Sequence, residues 1–244
     1  MYKTSDFITI KATAKENLLG NYRFVIPALL MINIFSLLIN NLSLSMNSET
    51  GFTISFLLYL IFSAISILLL KVFSIGKAHL FLNLMTNREV KLNNIYQGFK
   101  HNPKYSLQLC FLYLLFVNIL GYVSYLIFER FIFTNLLQSD KNINTIFIFL
   151  VLFLVCFLLF LYIALSFSQV FYLANDFANL SAIDTLKFSW KLMEGNRIYL
   201  LKLHLSFIPW YLLSVLTCGI ALFWVLPYLY ATLTLFYLDV IDKQ

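Results

Sequence analysis

The residues of this chain whose types could do chemistry are few, and their spacing does not assemble them. His79, His101 and His204 share no metal-ligand spacing. Cys110, Cys156 and Cys218 lie far apart in apolar runs without a CxxC pair, so neither a disulfide framework nor a zinc site is expected. They read as small packing residues. No HExxH, GxSxG or phosphate-binding glycine loop occurs, nor a carboxylate pair spaced for acid–base work. No Asp or Glu stands in the middle of a long apolar run, where an ionisable group would be a functional candidate by default. Catalytic, cofactor-binding and metal-binding residues are therefore expected to be none, and the chain is not expected to be an enzyme. What remains are polar side chains embedded in apolar runs: Asn33, Asn118, Gln169, Lys202 and His204. In hydrocarbon each amide needs a partner, which a neighbouring helix or the lining of a solute path would supply. Lys202 and His204 sit about one turn inside an apolar run, where a lysine can snorkel to the headgroups. A ligand role is the other reading.

The elements that carry these residues follow from composition. Hydrophobic residues make up 61% of the 244 and charged residues 11%, with 26 Phe and 15 Tyr. A soluble domain carries about 25% charged residues. Too little polar surface remains for a water-facing fold, and the hydrophobicity excludes disorder. The net charge of +6 is spread between apolar runs rather than gathered in a stripe, so nucleic acid is not an expected partner. The positive-inside rule accounts for it better.

A membrane-crossing helix needs about 20 apolar residues. Charge-free windows predict helix 1 at 22–39, helix 2 at 52–70, helix 3 at 107–128 and helix 4 at 145–167, the last running on towards Tyr172. From Leu203 to Leu238 there are 36 residues without Asp, Glu, Lys or Arg. As one helix they would span about 54 Å, well beyond a hydrocarbon core of about 30 Å. The run must fold back, and Thr217-Cys218-Gly219 is its glycine-containing break. Helix 5 is placed at 198–216 and helix 6 at 220–238. All Lys and Arg except Lys202, Arg130 and Lys141 then fall on one side, Lys3 and Lys243 included. That predicts a multi-pass protein of the cell membrane with both termini cytoplasmic, Gln244 inside and the turns near Asn47 and Lys141 outside. No A-x-A site follows the first apolar run, so a cleaved leader is not expected.

Three segments entering the odd-numbered helices share a pattern: an amphipathic stretch, a break containing Asn, then a basic or aromatic entry. The breaks are Gly20-Asn21, His101-Asn102 and Gly195-Asn196; the asparagines are 81 and 94 residues apart. The chain reads as one all-α membrane domain over 1–244, built of units near 1–86, 87–180 and 181–244. Each unit is a cytoplasmic interfacial helix followed by a transmembrane hairpin. Phe7, Ile10, Ala14 and Leu18 form the apolar face of the first such helix. Ile183, Leu186, Trp190 and Met193 form that of the third, which Ser181 and Asp184 cap. Such helices lie flat at the headgroups with their lysines near anionic lipid. Tyr22, Tyr105, Trp190 and Tyr199 suit the cytoplasmic aromatic belt. Pro209 and Pro227 are expected to bend helices 5 and 6, and Trp210 to pack mid-helix.

The resemblance rests on Ile10-Lys11, Ala14-Lys15, Leu18 and Gly20-Asn21-Tyr22, then Ile75-Gly76 and Gly98-Phe99-Lys100. It continues through Ser189-Trp190, Leu192-Met193, Gly195-Asn196, Ser206-Phe207-Ile208, Trp210, Leu216-Thr217, Gly219-Ile220, Pro227-Tyr228, Thr232 and Phe236-Tyr237. On these residues the chain resembles domain-of-unknown-function family 975, multi-pass membrane proteins of low-GC Gram-positive bacteria. Pro209 departs from the pattern, which has a small residue before the Trp. The family is distantly similar to the membrane domain fused to some glycerophosphodiester phosphodiesterases. The resemblance implies a membrane fold without implying an activity. The expected function is a non-enzymatic scaffold, accessory or lipid-interacting component, with membrane lipids and a membrane protein as partners and no cofactor. The alternative is a small transporter or exporter of an apolar or lipid-like solute.

Overall fold

The computed structural model describes residues 7–46, 54–132, 143–177 and 179–243. Lys3, Asn47, Phe52, Lys141 and Gln244 lie outside them. Among the described residues every regular element is helical. In order they are α1 (Phe7–Leu18), α2 (Tyr22–Met46), α3 (Ile54–Met85), a 3-10 turn (Leu92–Tyr96), α4 (Gln97–Lys100), α5 (Pro103–Ile132) and α6 (Ile143–Ser166). There follow α7 (Val170–Asp176), α8 (Ala182–Leu192), α9 (Arg197–Leu205), α10 (Ile208–Leu216) and α11 (Leu222–Ile241). Five stretches are long and apolar enough to cross a membrane: Ile61–Met85, Pro103–Arg130, Leu150–Asp176, Arg197–Leu216 and Leu222–Ile241. α1 and the first part of α2 make a sixth only when taken together across a 95° bend.

α3 is the pillar. Val72 and Ile75 pack with Leu109, Cys110 and Val170. Ala78 and Leu82 pack with Leu173, Leu192, Leu200 and Tyr237. Leu80, Phe81 and Leu84 pack with Leu18, Val25 and Ala231. One helix thus enters all three core clusters, with apolar side chains on several sides of its last turns between Lys71, Lys77, His79 and Asn83. The sequence placed the end of this element at Leu70, before Lys71; α3 continues 15 residues further. The reason is that Lys71 and Lys77 do not need water at once. Lys71 Nζ stands 4.5 Å from the Tyr113 ring centroid and Lys77 Nζ 3.9 Å from that of Tyr230. Each ring face offsets part of the desolvation of the ammonium.

Helix 5, expected at 198–216, is the stretch Arg197–Leu216, made of α9 and α10 with a break at Ser206 and Phe207. Pro209 lies in the first turn of α10, where its missing N–H costs nothing. Lys11 Nζ reaches the freed Ser206 carbonyl at 3.3 Å. The buried face of α8 is Ala182, Thr185, Leu186, Ser189 and Leu192, while Ile183 is exposed. Small residues on that face let α8 approach closely, and Ser189 Oγ donates to Ser166 O at 2.8 Å. Ile10, Ala14 and Leu18 of α1 are buried as well, against α3 and α11.

Candidate functional site

The ends of α3, α4, α5 and α7 meet at one place because two glycines let backbones touch. A Cβ on Gly76 would lie 1.7 Å from the Ile95 carbonyl oxygen, and one on Gly98 would lie 2.8 Å from that of Val72. The 3-10 turn and α4 therefore lie directly on α3. Asn175 ties α7 to the same point, donating from Nδ2 to Ile75 O at 3.0 Å and to Phe171 O at 2.7 Å. Asn102 starts α5 as its cap, with Oδ1 accepting from Tyr105 N at 3.2 Å. Tyr105 Oη lies 2.8 Å from Thr185 Oγ1, which brings α8 alongside.

Between these elements is a cavity of about 310 Å³. Its wall carries two imidazoles (His79, His101), the carboxamides of Gln97, Asn102, Asn175 and Asn179, and the hydroxyls of Tyr105 and Ser106. Ile75, Gly98 and Ala174 complete it, and among the described residues no Asp, Glu, Lys or Arg lines it. His79 Nε2 is 3.1 Å from Asn83 Nδ2. Sequence reasoning missed this convergence. His79 and His101 are 22 residues apart in no known ligand pattern, and the glycine contacts that bring them together leave no periodicity to read. Among the described residues no three His, Cys, Asp or Glu side chains gather to hold a metal.

A second constellation surrounds Arg197. Its Nε donates to Ser166 Oγ at 2.8 Å, Nη1 to Tyr162 Oη at 3.0 Å and Nη2 to Trp190 O at 3.2 Å. The guanidinium also faces the Tyr162 and Trp190 rings at 4.5 and 5.0 Å. This fork closes the junction of α6, α8 and α9.

The asparagine breaks come in two forms. Gly20 and Gly195 have φ of +84° and +79°. The asparagine after each donates one turn back: Asn21 Nδ2 to Asn17 O at 2.9 Å and Asn196 Nδ2 to Leu192 O at 3.2 Å. Both follow a helix that ends beside a fully buried side chain, Leu18 or Met193. The middle break differs. His101 is right-handed at φ −79°, and what precedes it is a four-residue helix. Gly219, φ +88°, sits in the turn between α10 and α11 and donates to Ser214 O at 2.7 Å.

The family model for "Protein of unknown function (DUF975)" matches residues 1–244, the whole chain. The chain belongs to this family. No curated protein and no solved structure matches it. Within this family member, Phe207, Trp210 and Tyr228 of the C-terminal third pack on one another, while Ile208, Leu216 and Ile220 are exposed. Trp210 is 42% exposed and edge-on to Tyr228, which also meets Phe207 at 5.1 Å; Pro227 is buried within α11. The polar residues of the apolar runs are dispersed. Asn33, exposed on α2, borders a small cavity with Gly219, Phe223 and Pro227. Asn118 is exposed on α5, and Lys202 is exposed on α9. His204 Nδ1 is 3.0 Å from Leu200 O. Gln169 is buried; its Nε2 donates to Ser168 Oγ at 2.9 Å and its Oε1 has no partner among the described residues.

Proposed function

We propose that the chain is a multi-pass protein of the cell membrane, crossing six times with both ends in the cytoplasm. It serves as a non-enzymatic scaffold, accessory or lipid-interacting component. The observation that carries this is the polarity of its packing. Fully buried side chains such as Leu18, Phe81, Leu192, Leu200 and Phe236 belong to the helix ends that bear the Lys and Arg residues. The opposite stretches expose large apolar side chains, among them Phe147 at 66%, Val215 at 76% and Leu216 at 81%. An exposed apolar band of that kind is what lipid tails cover.

In this reading the three units near 1–86, 87–180 and 181–244 each place a hairpin in the bilayer behind a segment lying at the headgroups. The shared geometry of Gly20-Asn21 and Gly195-Asn196 supports the first and third units. In the second, the 3-10 turn and α4 take the place of the longer helix. Exposed Ile8, Leu19, Ile183 and Ile198 on or beside α1 and α8 are apolar side chains directed away from the protein core, as a headgroup-level surface requires.

Topology tests the reading. Reporter fusions after Gln244 and within 88–100 are expected in the cytoplasm, and fusions near Asn47 and Lys141 outside. An external signal from the C-terminal fusion removes the six-crossing arrangement.

A further inference from the structure

The cavity walled by His79, Gln97, His101, Asn102, Tyr105, Ser106, Asn175 and Asn179 is unused by the fold. The hydrogen bonds that hold the elements together engage Asn175, Tyr105 and Asn102 Oδ1. Several other groups on the wall make no side-chain hydrogen bond among the described residues: the Gln97 and Asn179 carboxamides, the His101 ring, Asn102 Nδ2 and the Ser106 hydroxyl. Ser106 is 4% exposed. His101, Asn102 and Asn179 are exposed and Gln97 is half-buried, so these groups are hydrated and available to exchange water for a ligand.

We propose that this cavity binds a neutral, hydroxyl-rich group of hexose size, either the headgroup of a glycolipid or a free sugar. Three features select that chemistry. The unengaged groups mix donors and acceptors, which suits hydroxyls that both give and take a hydrogen bond. Among the described residues the wall holds no carboxylate, ammonium or guanidinium, so a fully charged ligand would lose its hydration without a counter-charge. Ile75, Ala174 and the Tyr105 ring provide an apolar side for the C–H face of a sugar. Asn102 on its wall directly precedes Pro103, where the long apolar helix α5 begins. On the membrane reading above, that is headgroup depth. The glycolipid source rests on that reading; the site itself does not.

The test uses the full chain in nanodiscs of zwitterionic lipid. Four probes are titrated: monoglucosyl-diacylglycerol, free methyl glucoside, diacylglycerol and phosphatidylglycerol. Binding is read by melting temperature and by titration for the wild type and for His101→Ala, Gln97→Leu, Ser106→Ala and Asn179→Ala. These side chains make no internal bond, so melting without ligand is expected to stay unchanged, and that measurement certifies the fold. A glucose-bearing probe is expected to raise melting, while diacylglycerol and phosphatidylglycerol do not. Each substitution is expected to weaken its binding by roughly threefold to tenfold. Binding of the glucolipid alone assigns the headgroup source, and equal binding of methyl glucoside assigns the free sugar. Phosphatidylglycerol binding that the same variants abolish overturns the neutral assignment. Absence of binding by both sugar probes, or binding untouched by every variant, overturns the site. Failure of the topology fusions alongside methyl glucoside binding would discard the membrane reading and leave the site standing.

Discussion

Gly195 and Gly20 adopt a left-handed backbone that costs a residue with a Cβ about 1–2 kcal/mol. Neither has any atom within 4 Å of the place a Cβ would occupy, so the whole penalty of a substitution is conformational. Gly195→Val and Gly20→Val are expected to lower the melting temperature of the purified protein, with Gly195→Asn milder because Asn tolerates that conformation. Thermal melts of the three variants decide it, and melts equal to wild type would contradict a structural role. Gly76 is a different case. Its backbone is ordinary, but a methyl group there would overlap the Ile95 carbonyl. Gly76→Ala is expected to force the 3-10 turn off α3 at a cost of about 1–3 kcal/mol or more. Because that contact also shapes the cavity, sugar binding is expected to fall together with melting. A variant that melted normally and still bound would show that the backbone contact is looser than it stands here.

At the level of elements, Arg197 joins three helices with one guanidinium, and its geometry is specific. The planar fork serves Ser166, Tyr162 and the Trp190 carbonyl while lying over two rings. A lysine reaches one of these at a time. Arg197→Lys is therefore expected to recover little of the loss caused by Arg197→Ala, which should be on the order of 1.5–3 kcal/mol for hydrogen bonds to a charged donor. Melting both variants separates this from a simple need for positive charge at the headgroups, under which Lys would restore stability in full. The sequence did not disclose this junction, because Ser166, Trp190 and Arg197 lie on separate elements and each type is common at a helix end. Charge-free runs did disclose where long apolar helices begin, since desolvating an unpaired charge is the largest single cost along such a run. They misplaced the end of α3 for the same reason. Lys71 looked like a boundary, and the rings that shelter it come from α5 and α7, 42 and 100 residues further on. The apolar face expected of α8 is divided: Leu186 and Met193 are buried in the protein, Trp190 is half-buried and Ile183 is exposed, while the small Thr185 and Ser189 are fully buried beside them. Of the cavity's polar wall, His101 and Asn102 stand out in the sequence for their place in the repeat and Tyr105 for the aromatic belt, while His79 shows there only as a histidine without ligand spacing.

The molecule as a whole is packed at one end and spread at the other, and the two ends should answer differently to the same substitution. Phe236 is fully buried between Tyr199 and the core of the second cluster. Removing its ring leaves a void that neighbouring helices cannot fill, and Phe236→Ala is expected to cost about 3–5 kcal/mol. Leu216 and Val215, at the tip of α10, are among the most exposed side chains of the described residues. If lipid tails cover them, truncation loses nothing, because a tail or detergent chain is as apolar as the leucine it replaces. Leu216→Ala and Val215→Ala are then expected to leave both melting and particle mass unchanged in nanodiscs. The rival arrangement is that a second copy or a partner membrane protein covers this band. In that case the same substitutions would remove packed contacts between proteins, and the complex would fall apart or melt earlier in proportion to the area lost. Measuring particle mass and melting side by side for Phe236→Ala, Leu216→Ala and Val215→Ala distinguishes the two. A loss of mass in the α10 variants, with the packed end intact, would mean that the exposed band is an interface and that the partner, rather than lipid, completes the fold.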